Sequence, residues 1–279
     1  MELPKLPIGA GAELLVDAAE TYLGWLFDFI TIVIKALVGN FADLLNMMSP
    51  LLFIVIVSAI AWRLAGNRVA IGSALGLLLI LNMGMWKPAM DTIALVLIAT
   101  LFALIISIPL GILTARYQMA HRVVMPILDF MQTMPPFVYL VPVVILFAIG
   151  EVPGLIATVV FAMPPAIRLT GLGIRQVPED LIEAAEAFGA TESQKLFKVQ
   201  LPLAMPTIMA GVNQCILLAL SMVVIAAMVG VGGLGGMVLR GIQRLDVGLA
   251  FEAGLSIVII AIILDRITQK IGFNNKTNK

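Results

Sequence analysis

Residues Arg175–Pro202 read RQVPEDLIEAAEAFGATESQKLFKVQLP, a polar island in a chain that is otherwise membrane-like. Eight charged residues fall within 24 positions: Arg175, Glu179, Asp180, Glu183, Glu186, Glu192, Lys195 and Lys198. The apolar runs on either side carry almost none, so this segment lies in water while its flanks lie in lipid. It is also patterned as ordered structure. Pro178 can open a helix, Gly189 can end it in a left-handed turn, and Thr191 with Gln194 reads as a capping box starting a second helix. A structured helix-turn-helix on a membrane protein is a surface for something outside the membrane to grip.

Working outward, the flanks decide the fold. Of 279 residues, 61% are hydrophobic and 12% charged, with mean hydropathy +1.08, whereas soluble domains use about 45–50% apolar residues. Spanning helices need about 20 mostly apolar residues. Seven segments qualify or nearly so: 50–64, 69–86, 89–115, 123–149, 154–171, 203–229 and 249–264. Isolated strands would leave backbone groups unsatisfied in lipid, so the reading is an all-α, multi-pass helical bundle. Placing the island in the cytoplasm puts twelve lysines and arginines inside against Lys87, Arg240 and Arg244 outside, and puts the C-terminus inside as well.

The region Glu13 to Met48 differs. Polar or small residues recur every three or four positions from Asp17 through Thr21, Gly24, Asp28, Thr31, Lys35, Gly39 and Asp43 to Asn46, one stripe along a helix. At about 1.5 Å per residue such a helix is too long for one straight span of a roughly 30 Å hydrocarbon core. The expectation is an amphipathic helix on the outer surface, broken at Gly39-Asn40; the rival is a true span whose stripe packs on other helices. Met1 to Gly11 lacks the pattern of a removable signal peptide.

Within the island, Glu183-Ala184-Ala185, Gly189, Val199 and Leu201-Pro202 resemble the EAA signature of ABC importer permeases, Val199 standing where that pattern favours Ile. Leu128–Pro135, Phe197–Ala204 and Val231–Arg240 are similar, in the same order, to the permease subunit of glycine betaine and proline betaine importers, and the likeness runs from Trp86 to Gln269. This resemblance implies a five-helix permease core at 88–265; hydropathy and charge patterning alone add an amphipathic region at 1–48 and two accessory transmembrane helices at 49–87 before it, and a cytoplasmic tail at 266–279 after it. The resemblance implies that Glu183, Ala184, Ala185, Gly189, Leu201 and Pro202 form the coupling loop for an ATPase subunit present in two copies. The other implied partners are an extracytoplasmic substrate-binding protein and a second permease, in the cell membrane of a prokaryote. ATP and magnesium would be bound by the ATPase, and this chain would carry no cofactor.

Gly230, Gly232 and Gly235 form a literal G-x-G-x-x-G, but no strand or βαβ unit surrounds it, so it is no dinucleotide site. An outer gate or docking loop and a plain tight turn both remain open. No Gly-Lys-Ser or Gly-Lys-Thr occurs, so the chain supplies no P-loop of its own. Double prolines at Pro135-Pro136 and Pro164-Pro165 should each bend or break a span. Together with Gln132, Thr133, Asn213, Gln214 and Ser221 they mark a candidate translocation path, against the alternative of ordinary kinks with polar residues joining helices. Asp129, the carboxylate well within a span, is expected to form a buried pair with Arg168, which could also snorkel to the interface. Tyr139 and Phe137 could face a quaternary ammonium group or be core aromatics. Cys215 sits in an apolar segment and His121 stands alone, which excludes an internal disulfide and leaves no cluster for a metal. Zero net charge gives no nucleic-acid footprint.

The leading reading is therefore the membrane-spanning subunit of an ATP-driven importer of compatible solutes. An ion-coupled secondary transporter of small zwitterions is the alternative. A membrane enzyme finds no constellation of nucleophile, base and orienting group.

Overall fold

The computed structural model describes residues 8–273, and every element among them is helical. Met1–Pro7 and the tail residues Lys276 and Lys279, used in the charge count above, lie outside the described residues. Helix α1 (Ile8–Met47) is followed by the hairpin α2 (Pro50–Ala65) and α3 (Asn67–Asn82), then α4 (Trp86–Arg116), α5 (Gln118–Thr133), α6 (Pro136–Phe147) and α7 (Glu151–Arg175). The polar island forms α8 (Glu179–Ala187), the single turn α9 (Glu192–Gln194) and a π-helical segment, Lys195–Gln200, that runs straight into α10 (Leu201–Ala227). Helices α11 (Gly233–Arg244) and α12 (Val247–Phe273) complete the chain. We call the end of the bundle that carries α8 and α9 the loop end.

Small residues let the central helices α4, α7 and α10 approach closely, as expected where lipid supplies no hydrophobic drive and packing must hold helices together. A Cβ added to Gly111 of α4 would lie 2.5 Å from Thr170 Cβ, and one added to Gly211 of α10 would lie 3.1 Å from Ala166 Cα. Gly173 of α7 would clash likewise with Thr207 at 2.9 Å. Around these contacts the core is built from Ala, Leu and Val side chains such as Ala94, Val96, Leu155, Ala219 and Val223.

Five helices have the length and composition of membrane spans: Val16–Met47, Trp86–Arg116, Glu151–Arg175, Glu192–Ala227 and Val247–Lys270. The expectation of seven is corrected at three places. The 123–149 segment is two helices, α5 and α6, bent by 98°. Helices α2 and α3 have 16 residues each, about 24 Å, short of a roughly 30 Å core. The N-terminal region, by contrast, passes the length and hydropathy criterion.

That N-terminal helix is continuous for 40 residues, without the break expected at Gly39-Asn40. Its contacts fall at the end of the bundle away from the loop. Phe27 packs edge-on against Phe147 at the end of α6, with ring centroids 5.1 Å apart. Asn46 donates a 2.8 Å hydrogen bond to Asp91 in the second turn of α4. Val38, Ala42 and Asp43 line a pocket with Asp91, Glu151 and Gly232. Helix α1 thus runs across the starts of α4 and α7.

Candidate coupling loop and translocation path

The loop is ordered by short-range hydrogen bonds. Helix α8 starts directly after Pro178 and ends where Gly189 turns left-handed at φ +78°. The Gly189 N–H donates to the Glu186 carbonyl (2.8 Å) and the Ala190 N–H to that of Ala185 (3.0 Å), satisfying the last carbonyls of the helix. Next, the capping box forms: the Gln194 N–H donates to Thr191 Oγ1 (3.3 Å) and the Thr191 N–H to Gln194 Oε1 (2.9 Å).

Charge then joins the two loop helices. The Lys195 ammonium pairs with Glu186 on the first and Glu192 on the second, while Arg116 at the end of α4 lies 3.5 Å from Glu192. Hydrogen bonds to Glu186 and Glu192 raise the Lys195 pKa, and the bond from Lys195 lowers that of Glu192. Both groups precede the embedded part of α10. Leu196 anchors the loop to the bundle, buried with Ile174, Ala204 and Ile208.

What remains outside is a solvent-facing surface. Glu183, Ala184, Gly189 and Pro202 are exposed, and Ala185 and Leu201 are half-buried. Phe188, which the sequence reading did not single out, is 93% exposed at the tip. Its signal was available: a large apolar residue immediately before a helix-ending glycine in a polar segment. Exposed aromatics of this kind are common anchors at interfaces.

The candidate path residues separate into two groups. Pro135 and Pro136 do break the chain, between α5 and α6, and hydroxyls cap the break: Thr133 donates to the Phe130 carbonyl at 2.9 Å, and Tyr139 donates to that of Met131. Gln132, Thr133 and Pro135 are exposed and Pro136 is half-buried. On α10, Gln214 and Ser221 are exposed and share a face at a spacing of seven. Met131 and Met134 join the apolar cluster of Met222 and Ile225, which sets the α5–α6 break beside this stretch of α10.

Pro164, Pro165 and Asn213 belong elsewhere. Pro164 and Pro165 are buried within an unbroken α7, which corrects the expected break there. Ser107 of α4 donates to the Met163 carbonyl at 3.1 Å, and the α10 backbone closes on the other side at Gly211. A helix clamped on both flanks keeps its course through the prolines. Asn213 is buried against α12, hydrogen-bonded to Asp265 and Thr268 (2.6 Å each), on a different face from the exposed Gln214. Asp265 had been missed because it lies just past the apolar run that ends at 264.

Asp129 and Arg168 do pair, but the expected burial is corrected: their side chains are 65% and 34% exposed, because α5 lies at the edge of the bundle. Phe137 is exposed and Tyr139 buried. The glycine motif is a tight turn with close packing. Gly230 has φ +94°, the Leu234 N–H donates to Thr92 Oγ1 at 2.8 Å, and a Cβ on Gly235 would lie 2.2 Å from the Val223 carbonyl oxygen.

A helical bundle that spans the membrane several times and projects an ordered, charged two-helix loop from one end has the architecture of a transport permease. Residues 107–272 match the family of binding-protein-dependent transport system inner membrane components, and the chain belongs to that family. It is 53% identical over 262 residues, 94% of this chain and 74% of the other, to the glycine betaine/proline betaine transport system permease protein ProW of Escherichia coli (strain K12). It is 48% identical over 275 residues, 99% and 98% of the two chains, to the glycine betaine transport system permease protein OpuAB of Bacillus subtilis (strain 168). Among solved structures, an inward-facing MetNI methionine ABC transporter matches with a TM-score of 0.60 at 23% identity over 66% of this chain and 92% of that one, a likeness of fold.

Proposed function

We propose that this chain is the transmembrane permease subunit of an ATP-driven importer of compatible solutes: glycine betaine, proline betaine or related quaternary ammonium osmoprotectants. It works as a homodimer with two copies of an ATPase subunit, which bind ATP and magnesium, and with an extracytoplasmic binding protein that captures the solute. The loop end and the C-terminus face the cytoplasm of a prokaryotic cell, and α1 lies on the outer side. The observation that carries this reading is the Arg175–Pro202 loop. Phe188 stands out from a helix pair braced by Lys195, so a push there reaches α10 through continuous helix.

The path is assigned to the face carrying Gln132, Thr133, Pro135, Gln214 and Ser221. These are uncharged groups, suited to a zwitterion with no net charge. Asp129 and Arg168 neutralise each other beside it. The test is solute uptake by liposomes that hold the purified permease, the ATPase subunit and the binding protein. Uptake of labelled glycine betaine should require ATP inside and binding protein outside. Uptake driven by an ion gradient without ATP would favour the secondary-transporter alternative.

A further inference from the structure

Helix α3 meets α12 tightly at Gly76, where an added Cβ would lie 2.6 Å from Ile259 Cγ2. One turn closer to Arg68, at Gly72, an added Cβ finds nothing within 4 Å. The two helices therefore diverge and leave a groove of about 340 Å³, lined by Arg68, Val69, Gly72, Ser73, Ile262 and Arg266 among others. Its walls are hydrocarbon apart from two guanidinium groups and one hydroxyl. No carboxylate lines it, and neither arginine takes part in an ion pair among the described residues. Ser73 is 2% exposed, and its hydroxyl has no hydrogen-bond partner among the described residues. A buried hydroxyl normally finds an acceptor, often the backbone carbonyl one turn toward the amino end. The Ser73 hydroxyl is closed off behind the groove wall, so the two guanidinium groups, unpaired among the described residues, are the polar feature that faces the groove.

The depth of the groove identifies the chemistry. The α2–α3 tip carries Arg63 and Arg68, one on each side of the turn, and arginines at the ends of apolar helices settle at headgroup level. Asn213 near the middle of α10 pairs with Asp265, which places the neighbouring Arg266 on the loop-end half of α12. Two guanidinium forks match the oxygens of a phosphate, and basic pockets between spans are known sites for acidic lipid headgroups. A free phosphate would use the arginines and leave the apolar wall unfilled.

We propose that this groove binds an anionic phospholipid of the leaflet at the loop end, with its phosphate on Arg68 and Arg266 and an acyl chain passing Gly72 toward Gly76. Native mass spectrometry of the full chain, released from detergent with equal amounts of phosphatidylglycerol or phosphatidylcholine, reads the site. Phosphatidylglycerol adducts should exceed phosphatidylcholine adducts several-fold, and the R68Q/R266Q double variant should bring the two to parity. Gly72→Leu fills the groove with both arginines in place and should deplete both adducts. Inorganic phosphate should displace neither. Each variant is first checked for wild-type helix content and melting temperature, and the single variants R68Q and R266Q carry the test if the double variant misfolds. An unchanged preference in the arginine variants, meaning annular lipid only, overturns the proposal. So does full lipid retention in Gly72→Leu, or displacement by inorganic phosphate.

Discussion

Asn213 on α10 donates a 2.6 Å hydrogen bond to the Asp265 carboxylate on α12 and accepts one of 2.6 Å from the Thr268 hydroxyl. Gln269 adds two more donations to the same carboxylate, at 2.8 and 2.9 Å. Amide N–H groups thus serve this carboxylate where a cation would otherwise be needed, and they join the last span to the central one.

Asn213→Leu keeps the volume and removes the donor, leaving Asp265 poorly solvated, which should cost roughly 1–3 kcal/mol. The purified chain should melt at a lower temperature than wild type. Adding Asp265→Leu removes the carboxylate left with the Gln269 amide alone and should recover much of the loss. A single variant as stable as wild type would show that this bond contributes nothing.

Gly189→Val forces a β-branched residue into the left-handed region, where an L side chain costs about 1–2 kcal/mol. Betaine transported per ATP hydrolysed, measured in liposomes, should fall. Gly189→Asn, which tolerates that region, should keep more of it than Val. Equal coupling in all three proteins would remove the turn from the coupling path.

The two glycines at the turn before and within α11 should behave oppositely. Gly235→Ala places a methyl group 2.2 Å from the Val223 carbonyl oxygen, a backbone atom that cannot swing aside, and should destabilise by about 1–3 kcal/mol. Gly232 has φ −77° and no atom within 4 Å of an added Cβ. Gly232→Ala should therefore melt like wild type. Thermal unfolding of the two variants side by side checks this.

Ser221→Trp and Thr133→Trp put bulk on exposed positions of α10 and α5. Uptake should drop while assembly, docking of the binding protein and basal ATP hydrolysis persist. Asn213→Trp should instead fail at assembly, since its site is filled by α12. Wild-type uptake in both exposed-site variants would take these faces out of the path.

What could be read from residues alone was what depends on near neighbours. The capping box of Thr191 and Gln194 and the turn at Gly189 involve groups within four positions, so their pattern survives in the sequence. The two proline pairs look alike as sequence and part company in the fold. Pro135-Pro136 sits at the bundle edge, free to bend, while Pro164-Pro165 is held by Ser107 on one side and Gly211 on the other. Asn213 and Gln214 are adjacent, yet a helix turns about 100° between them, and with apolar residues on every side of α10 no residue pattern set the phase. The continuity of α1 through Gly39 was likewise hidden, because contacts with α4 and α7 outweigh the low helix propensity of one glycine.

Cysteine labelling tests where α1 lies. In a background without Cys215, Asp43→Cys faces a polar pocket and should react with a membrane-impermeant maleimide added outside; Ile34→Cys is buried away from that pocket and should stay protected. Labelling of Asp43→Cys only from the cytoplasmic side would place this end of the bundle inside.

The second loop helix has no joint with the span it enters: Glu192 to Ala227 is one 36-residue rod. It meets the α7 backbone at Gly211, 19 residues from one end and 16 from the other. At about 1.5 Å per residue the rod is a lever with arms of roughly 28 and 24 Å. With the fulcrum so near the middle, a displacement applied at the loop tip emerges at Ser221 and beyond with reversed direction and somewhat reduced size. Closing one side of the molecule and opening the other is then a single rotation. Residue 211 must stay small, since any side chain there would separate the rod from its bearing.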